Sequence, residues 1–179
     1  MVIWINGCFG VGKTTTAEKL CQRIENAHIY DPELAGAFLW DNFPPPMKRR
    51  GDYQDIELWR KINYEYIKYI HLNYSGPIIV PMTLVNRGYH DEIIGKLRED
   101  GIDVHHFILT APKEHIIARL TGRGEANGSW AEQQIDRCLA AFARDFPGDT
   151  VNTEQMSADE AAEHIIRACF PVIERRDNT

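Results

Sequence analysis

The 179 residues suffice for one domain, and 44% hydrophobic with 26% charged residues is typical of a globular protein, so we expect a single domain over residues 1–179. A net charge of −6 without a long basic run argues against a nucleic-acid-binding protein, and no apolar run approaches the roughly 18 residues of a membrane span. The N-terminus lacks a secretory signal and the four cysteines are widely spaced, which favours a cytoplasmic protein without a disulfide framework or a cysteine metal cluster.

Short apolar runs alternate with amphipathic segments, a pattern typical of a parallel sheet covered by helices on both faces. Strands are predicted at residues 2–5, 27–30, 77–82, 104–109 and 149–152. Helices are predicted directly after a glycine-rich segment near the N-terminus and at residues 33–40, 55–74, 89–98 and 115–123. Ser129-x-x-Glu132 and Ser157-x-x-Glu160 are capping boxes, which predict the starts of two further helices.

The segment between the first strand and the first helix carries the strongest signal in the sequence. Gly7–Thr14 matches G-x-x-x-x-G-K-[ST], in which glycines let backbone N–H groups point at a phosphate chain. Lys13 would reach the terminal phosphates, and the Thr14 hydroxyl would bind Mg²⁺. The alternative, a glycine-rich turn with an exposed lysine, fits the strand and helix context less well. The expected nucleotide-binding residues are Gly7, Phe9, Gly10, Val11, Gly12, Lys13, Thr14 and Thr15.

Other features of the chain favour a small kinase over other nucleotide-binding proteins. A GTPase switch would carry an NKxD-type guanine-reading motif, which is absent from the sequence. An oligomeric ATPase is usually longer and has an acidic strand end, whereas Ile78-Ile79-Val80 runs into Pro81-Met82-Thr83. A kinase tolerates this departure because its carboxylate can come from elsewhere in the fold.

Asp31 is the candidate for that carboxylate. It follows the second predicted strand, and ligands of open α/β sheets gather at the carboxyl ends of the strands. There it could accept or orient the proton of an attacking hydroxyl. Asp31 also fits the N-cap of a helix, and the two roles are compatible. For Glu33, the helix-start interpretation is favoured.

Arginines surround a glycine-punctuated segment that we predict to be a lid over residues 119–130. Arg119 and Arg123 are spaced four apart and share a helix face, and Arg137 lies on the following helix. Closure would exclude water and place guanidinium groups on the transferred phosphoryl group. A solvated charged loop is the alternative.

An aromatic-rich insertion over residues 36–60 is the predicted place for the acceptor. Trp40, Phe43 and Tyr53 lie in its irregular part, where they could stack on a base or sugar, and Arg60 lies among the aromatic residues. We therefore expect Asp31, Trp40, Phe43, Tyr53 and Arg60 to contact a small-molecule substrate.

Five segments together resemble the bacterial tunicamycin-resistance protein family. They are Trp4–Thr14, Tyr30–Glu33, Leu58–Arg60, Ile79–Thr83 and Ser129–Cys138, and they follow one another in the same order over about residues 2–140. Apart from the phosphate-binding loop, these segments are specific to the family.

The resemblance implies a three-layer α/β fold like that of P-loop nucleoside and nucleotide kinases, with a five-stranded parallel sheet in the order 2-3-1-4-5 and a lid. It also implies ATP and Mg²⁺ as cofactors, and tunicamycin, a fatty-acylated nucleoside antibiotic built on uracil, as a ligand. Lys13 and Thr14 carry over as ATP and Mg²⁺ residues; Arg119, Arg123 and Arg137 carry over as lid residues. An adenine contact is expected around Asn152 and Thr153.

Two functions remain open at this stage. The first is a kinase that phosphorylates a hydroxyl of tunicamycin or a similar nucleoside or sugar. The second is a protein that sequesters the drug and binds ATP without catalysis. Asp31 and the lid arginines favour the kinase, because sequestration requires neither. A monomer and a homodimer are both compatible with the sequence.

Overall fold

Five strands form one parallel sheet in the order β2-β3-β1-β4-β5, which confirms the order implied by the sequence resemblance. The computed structural model describes residues 1–48 and 51–171. The strands are β1 (Val2–Gly7), β2 (His28–Ile29), β3 (Ile78–Pro81), β4 (Val104–Thr110) and β5 (Asp149–Asn152). Because all of them run in the same direction, their carboxyl ends meet at one edge of the sheet.

The helices agree with the sequence prediction in place and approximate length. They are α1 (Lys13–Arg23), α2 (Pro32–Asn42), α3 (Glu57–Asn73), α4 (Arg87–His90), α5 (Lys96–Glu99), α6 (Lys113–Gly122), α7 (Trp130–Gln133), α8 (Ile135–Phe142) and α9 (Ala158–Cys169). A π-helical segment, Asp91–Gly95, joins α4 to α5, so the helix predicted over 89–98 is continuous but irregular. Two 3₁₀ turns, Pro45–Met47 and Tyr53–Asp55, lie between α2 and α3. None of the helices in the described ranges is long and apolar enough to cross a membrane.

The two predicted capping boxes have different outcomes. Ser157 and Glu160 form the reciprocal pair of hydrogen bonds at the start of α9. At α7, the Ser129 hydroxyl accepts from the Glu132 N–H, but the Glu132 carboxylate accepts from the N–H of Gly128 at 2.8 Å instead of that of Ser129. The reciprocal half predicted at Ser129 is therefore wrong, because Gly128, at φ 74°, turns its own N–H toward the carboxylate.

The edge strand β2 is shorter than the predicted strand over 27–30. The Tyr30 N–H still donates to the Ile79 carbonyl at 2.9 Å, but the chain then leaves the sheet at Asp31. The Asp31 side chain accepts a hydrogen bond from the Glu33 N–H and so caps α2. The start of α2 consequently lies at the carboxyl edge of the sheet.

Side chains of β1 alternate between two buried layers, as expected for a strand covered on both faces. Ile3 and Ile5 belong to a cluster that includes residues of α1, α6, α8 and α9. Val2 and Trp4 belong to a second cluster with residues of β3 and α3 and of the segment that contains α4 and α5. Because β1 is rigidly packed on both faces, the loop that follows it starts from a fixed point.

Candidate active site

The phosphate-binding loop leaves β1 in a conformation that requires glycine. Gly7 has φ 139°, and a Cβ atom there would lie 2.5 Å from the Leu109 carbonyl oxygen. Gly10 has φ 79°, and a Cβ atom there would lie 2.7 Å from the Leu120 side chain. The loop therefore packs directly against β4 and α6, which fixes its shape before any nucleotide binds.

Lys13 closes this loop. Its Nζ donates to the carbonyl oxygens of Gly7 at 3.1 Å and Cys8 at 2.9 Å, and it lies 5.3 Å from the centre of the Phe9 ring. Burial lowers the pKa of Lys13 to about 8. A charge in so desolvated a position gains more from an anionic partner than an exposed lysine would, which suits phosphate binding.

Two polar side chains that sequence reasoning missed support the loop from below. Asn6 Oδ1 accepts from the N–H groups of Gly7 and Leu84, both at 2.8 Å. The Thr83 hydroxyl donates to the Gly7 carbonyl at 2.8 Å. Thr83 lies just after β3, at the strand end where an oligomeric ATPase would have an acidic residue. The sequence did carry a signal for both residues. Each is a polar residue inside or directly after an apolar run, and a buried polar group needs a hydrogen-bond partner.

A cavity of about 340 Å³ lies beside the loop, on the side of α6 and α9. Gly12, Thr15, Thr153, Met156 and Ala161 are among its lining residues. Arg119 forms part of its wall, since its guanidinium group donates to the Val11 carbonyl at 2.9 Å and to the Thr153 carbonyl at 2.7 Å. Arg119 is therefore held beside the nucleotide loop by backbone groups. Thr153 lines this cavity, and the adenine contact expected around Asn152 and Thr153 stays a prediction.

A second cavity, of about 240 Å³, brings together charged and polar residues from three parts of the chain. Lys13 and Thr14 come from α1, Asp31 and Glu33 from the start of α2, and Arg123 from the end of α6. We call this cavity the acceptor cleft. Arg123 also lines the cavity beside α9, so it lies where the two cavities meet.

The two carboxylates of the acceptor cleft differ in their surroundings. Asp31 Oδ1 accepts from the Glu33 N–H at 2.9 Å, which fulfils the capping role that the sequence left open. The Glu33 carboxylate makes no hydrogen bond or ion pair with any residue in the described part of the chain. Glu33 is an exposed residue, but desolvation of its carboxylate, reinforced by the charge of Asp31, raises its pKa, while the nearby Lys13 acts in the opposite direction.

Thr14 and the carboxylates of the acceptor cleft have the donor chemistry that Mg²⁺ requires. The Thr14 side chain is exposed at the start of α1 and lines the cleft with Asp31 and Glu33. Hydroxyl and carboxylate oxygens suit a hard cation. Within residues 1–48 and 51–171, no group of three or more His, Cys, Asp or Glu side chains forms a metal site by itself. This donor set fits an ion held jointly by protein, nucleotide phosphates and water.

Arg137 connects α8 with the segment that precedes α3. Its guanidinium group donates to Asp52 Oδ2 at 2.9 Å, and the Asp52 side chain is only 11% exposed. Asp52 also accepts from both the backbone and side-chain amides of Gln54. On the same helix, Cys138 packs under the phosphate-binding loop, where its hydrogen bond with the Cys8 thiol, followed by burial, raises the pKa of Cys8. Arg137 therefore ties the insertion to the helix that follows the predicted lid.

The aromatic residues of the insertion pack mainly on one another. Trp40 and Tyr53 meet edge to face, 6.3 Å apart, and the Tyr53 ring lies against Gly36, where a Cβ atom would be 2.4 Å from the ring. Phe43 packs on the second core cluster. None of Trp40, Phe43 and Tyr53 lines the acceptor cleft in this structure.

Arg60, which was also predicted to contact the substrate, does not line the acceptor cleft. Its side chain is largely buried, and it donates to Glu92 at 2.8 Å and to the Gln54 carbonyl at 2.6 Å. The guanidinium group also lies 4.1 Å from the centre of the Tyr89 ring. Each of these contacts joins α3 to a neighbouring segment. In this arrangement Arg60 stabilises the fold of the insertion.

The segment predicted to be a lid consists of the end of α6 and a short loop before α7. Within that loop, the Ser129 hydroxyl donates to Glu125 at 2.9 Å, and the Gln133 amide donates to the Gly128 carbonyl at 2.8 Å. Trp130 then packs edge to face on Phe9, 4.9 Å away. The loop is thus anchored directly to the phosphate-binding loop at one end.

The parallel sheet, the glycine-rich loop and the lysine at its end define a P-loop kinase-like protein. A family model described as "AAA domain" matches residues 2–144, and the chain belongs to this family.

Comparison with solved structures confirms the resemblance found in the sequence. The tunicamycin resistance protein of Deinococcus radiodurans is 28% identical, with a TM-score of 0.80, over 94% of this chain and 95% of that one. A sugar kinase from a Janibacter species is 20% identical, with a TM-score of 0.65, over 92% of this chain and 91% of its own. The Mycobacterium tuberculosis APS kinase, solved with AMPPNP and APS, is 15% identical, with a TM-score of 0.63, over 94% and 96%. The latter two show a shared fold. No curated protein matches the chain.

Proposed function

We propose that this protein transfers the γ-phosphoryl group of ATP to a hydroxyl of tunicamycin or of a related nucleoside or sugar. The observation that carries the proposal is the acceptor cleft, in which Lys13 and Arg123 face the same space as Asp31 and Glu33. Cations for the phosphoryl group and carboxylates for the attacking hydroxyl are the two sets of groups that this reaction needs. The similarity to a tunicamycin resistance protein supports the choice of acceptor.

On the nucleotide side, the backbone N–H groups of the loop, from Gly7 to Thr15, would surround the phosphates. Lys13 would exchange its carbonyl partners for the β- and γ-phosphates, and Arg123 would contact the transferred group. Thr14 would hold Mg²⁺, which neutralises charge on the phosphates when it is bound. Arg119 would form the wall of the base-binding cavity.

On the acceptor side, the oxygen of Asp31 that does not cap α2 would orient the substrate hydroxyl. Arg137 would keep the insertion in register with α8 through Asp52. Contacts of the acceptor with Trp40, Phe43, Tyr53 and Arg60 stay predictions.

Residues 119–130 would act as the lid. Gly124 and Gly128 have positive φ angles, and no atom lies within 4 Å of the place where their Cβ atoms would be, so neighbouring atoms do not crowd the loop between α6 and α7 at these two positions. We expect amide hydrogen exchange in this loop to slow when AMPPNP and tunicamycin are added together. Protection that is already high without ligands, and unchanged by them, would contradict the lid.

Mass spectrometry of tunicamycin incubated with the protein and ATP tests the function directly. The expected result is a mass gain of one phosphoryl group on the drug and an equal amount of ADP. Uridine and gluconate serve as alternative acceptors in parallel reactions. If no acceptor gains a phosphoryl group while tunicamycin binds tightly in the presence of ATP, the protein sequesters the drug and the kinase proposal is wrong.

A further inference from the structure

Asn6 is a fully buried residue whose side-chain amide can point in only one direction. Asn6 Oδ1 accepts from the N–H groups of Gly7 and Leu84, both at 2.8 Å, and Nδ2 donates to the Leu84 carbonyl at 2.8 Å. Turning the amide over would set its NH₂ group against two N–H donors and its oxygen against a carbonyl. The second N–H of the amide therefore faces the remaining partner, His106 Nε2, at 3.2 Å.

This geometry decides which nitrogen of His106 carries the ring proton. Nε2 can accept from Asn6 only when it is unprotonated, so the proton of the neutral ring lies on Nδ1. His106 is 2% exposed, and burial lowers its pKa to about 3, so the ring is neutral at pH 7. The Pro147 backbone also attracts a proton to the ring, but no hydrogen bond of regular geometry reaches Nδ1 within residues 1–48 and 51–171. The contact with Asn6 is thus the one that gives the ring its direction.

The His106 ring is itself confined from three sides. The His90 ring stacks on it at 5.3 Å, and Phe146 meets it edge to face at 6.3 Å. At Gly148, which has φ 141°, a Cβ atom would lie 3.0 Å from His106 Nδ1. A ring packed this closely cannot rotate without losing its neighbours, so it offers Asn6 an acceptor in a fixed place.

Asn6 passes this constraint to the first peptide of the phosphate-binding loop. It binds the N–H of Gly7 at 2.8 Å. The Gly7 carbonyl accepts from the Thr83 hydroxyl at 2.8 Å and from Lys13 Nζ at 3.1 Å. A shift of Asn6 would therefore move the carbonyl that Lys13 contacts and the N–H groups that follow it. Groups that bind a ligand must stay within about 0.5 Å of their productive positions.

We infer that His106 is a positioning residue for the nucleotide: through Asn6, it holds the start of the phosphate-binding loop in the shape that binds phosphates. The two residues are 100 positions apart in the sequence and meet because β1 and β4 are neighbouring strands. The inference rests on the nucleotide-binding part of the proposed function and not on the acceptor. It requires a hydrogen-bond acceptor at position 106, which distinguishes positioning from packing alone.

The first test compares His106→Phe with His106→Gln. Phenylalanine keeps a ring but offers Asn6 no acceptor, whereas the glutamine oxygen can take the place of Nε2. We expect His106→Phe to raise the Kd for AMPPNP roughly tenfold, because a buried N–H loses its partner, and His106→Gln to recover most of the affinity. The Kd for adenosine, which has no phosphates, should stay unchanged. His105→Phe, on the other face of β4, is the matched control and should behave like the wild type.

A double-mutant cycle tests whether the effect passes through Asn6. Asn6→Ala already lacks the link to the loop, so adding His106→Phe should not weaken AMPPNP binding further. Nitrogen-15 chemical shifts of the histidine rings give an independent measurement on the wild type, with His106→Gln identifying the signals. At pH 7 they should show Nε2 without a proton and Nδ1 with one. This result is decisive even if His106→Phe fails to fold, which thermal unfolding would reveal.

Several outcomes would overturn the inference. Unchanged AMPPNP affinity in His106→Phe, or no recovery in His106→Gln, would show that the acceptor atom does not matter. An equal loss of adenosine affinity would assign His106 to the stability of the fold alone. A further loss in the Asn6→Ala background, or a proton on Nε2, would exclude the route through Asn6. All of these leave the proposed kinase function standing, whereas a wild type that binds no AMPPNP would end both.

Discussion

The nucleotide side and the acceptor side of the cleft are built from different kinds of groups. The nucleotide side consists largely of backbone: the loop that follows β1, braced by Asn6 and Thr83. The acceptor side consists of side chains from α2 and α6 that line the cleft, together with the insertion beside them, which Arg137 of α8 joins through Asp52.

This difference affects how each side can change without loss of the fold. A backbone cradle recognises phosphate whatever the rest of the ligand is, and only its glycines and its lysine are constrained. A side-chain wall can change with single substitutions and can therefore adapt to different acceptors. The fold is shared with proteins described as sugar and APS kinases, whose acceptors differ.

The largest effect should follow a change on the nucleotide side. Lys13→Ala should lower phosphoryl transfer by at least roughly 10²–10³-fold, because it removes a preorganised charge from the phosphates. The fold should survive, since Lys13 bonds only to loop carbonyls. Transfer kinetics and thermal unfolding measure the two effects. Lys19→Ala, on the same helix, is the control and should retain activity; wild-type rates in Lys13→Ala would refute the phosphate-binding assignment.

Acid should destabilise the protein through His106, a buried histidine under the nucleotide side. Burial, with His90 and Arg98 adding to it, lowers the pKa of His106 to about 3. The unfolded chain binds a proton at this histidine near pH 6.5, so the contribution to stability is complete above that pH. It should be lost as the pH falls from about 6.5 toward 3, by up to about 1.4 kcal/mol per pH unit.

Urea unfolding at pH 7 and pH 4.5 measures this loss. His106→Gln should flatten the dependence, because it removes the titrating ring. His105→Gln is the neighbouring control, since that side chain points to the other face of β4 and is partly exposed. Equal acid sensitivity of wild type and His106→Gln would assign the effect to other groups.

A smaller effect should follow from overpacking the acceptor side. In Gly36→Ala the new Cβ atom would lie 2.4 Å from the Tyr53 ring, so α2 and the Tyr53 turn must separate. We expect about 1–3 kcal/mol of destabilisation and a higher KM for the acceptor, with unchanged AMPPNP affinity. Gly95→Ala, where the nearest atom is 3.5 Å away, should not destabilise the protein. Reduced AMPPNP affinity in Gly36→Ala would show that the two sides are not independent.

The smallest effect should come from the ion pair that joins α8 to the insertion. Arg137 is 44% exposed and Asp52 is 11% exposed, so solvent screens the pair in part. A double-mutant cycle with Arg137→Ala and Asp52→Ala should give a coupling of about 1 kcal/mol or less in unfolding free energy. The same two substitutions should also show coupling when the KM for the acceptor is measured, but none when AMPPNP affinity is measured. Coupling in AMPPNP affinity without coupling in KM would assign the pair to the nucleotide side.

The nucleotide side could be predicted from the sequence because its determinants are local. Gly7, Gly10, Gly12 and Lys13 lie within seven consecutive residues, and a strand before them and a helix after them are visible as periodicity. Most element boundaries followed for the same reason, whereas the strand order was implied by the family resemblance alone. Thr83 and Asn6 were missed because their partners lie on neighbouring strands.

On the acceptor side, the sequence determined which residue types were available, and the tertiary structure decided what they do. Arg60 lies among aromatic residues in the sequence, and only the fold shows that it pairs with Glu92, 32 residues away; its contact with a substrate stays a prediction. Glu33 looked like an ordinary first-turn acid, and only the approach of Lys13 and Arg123 from other elements gives it a place in the cleft. Helix caps and glycine turns depend on a few adjacent residues, whereas the partner and the burial of a charged side chain depend on segments that meet only when the chain folds.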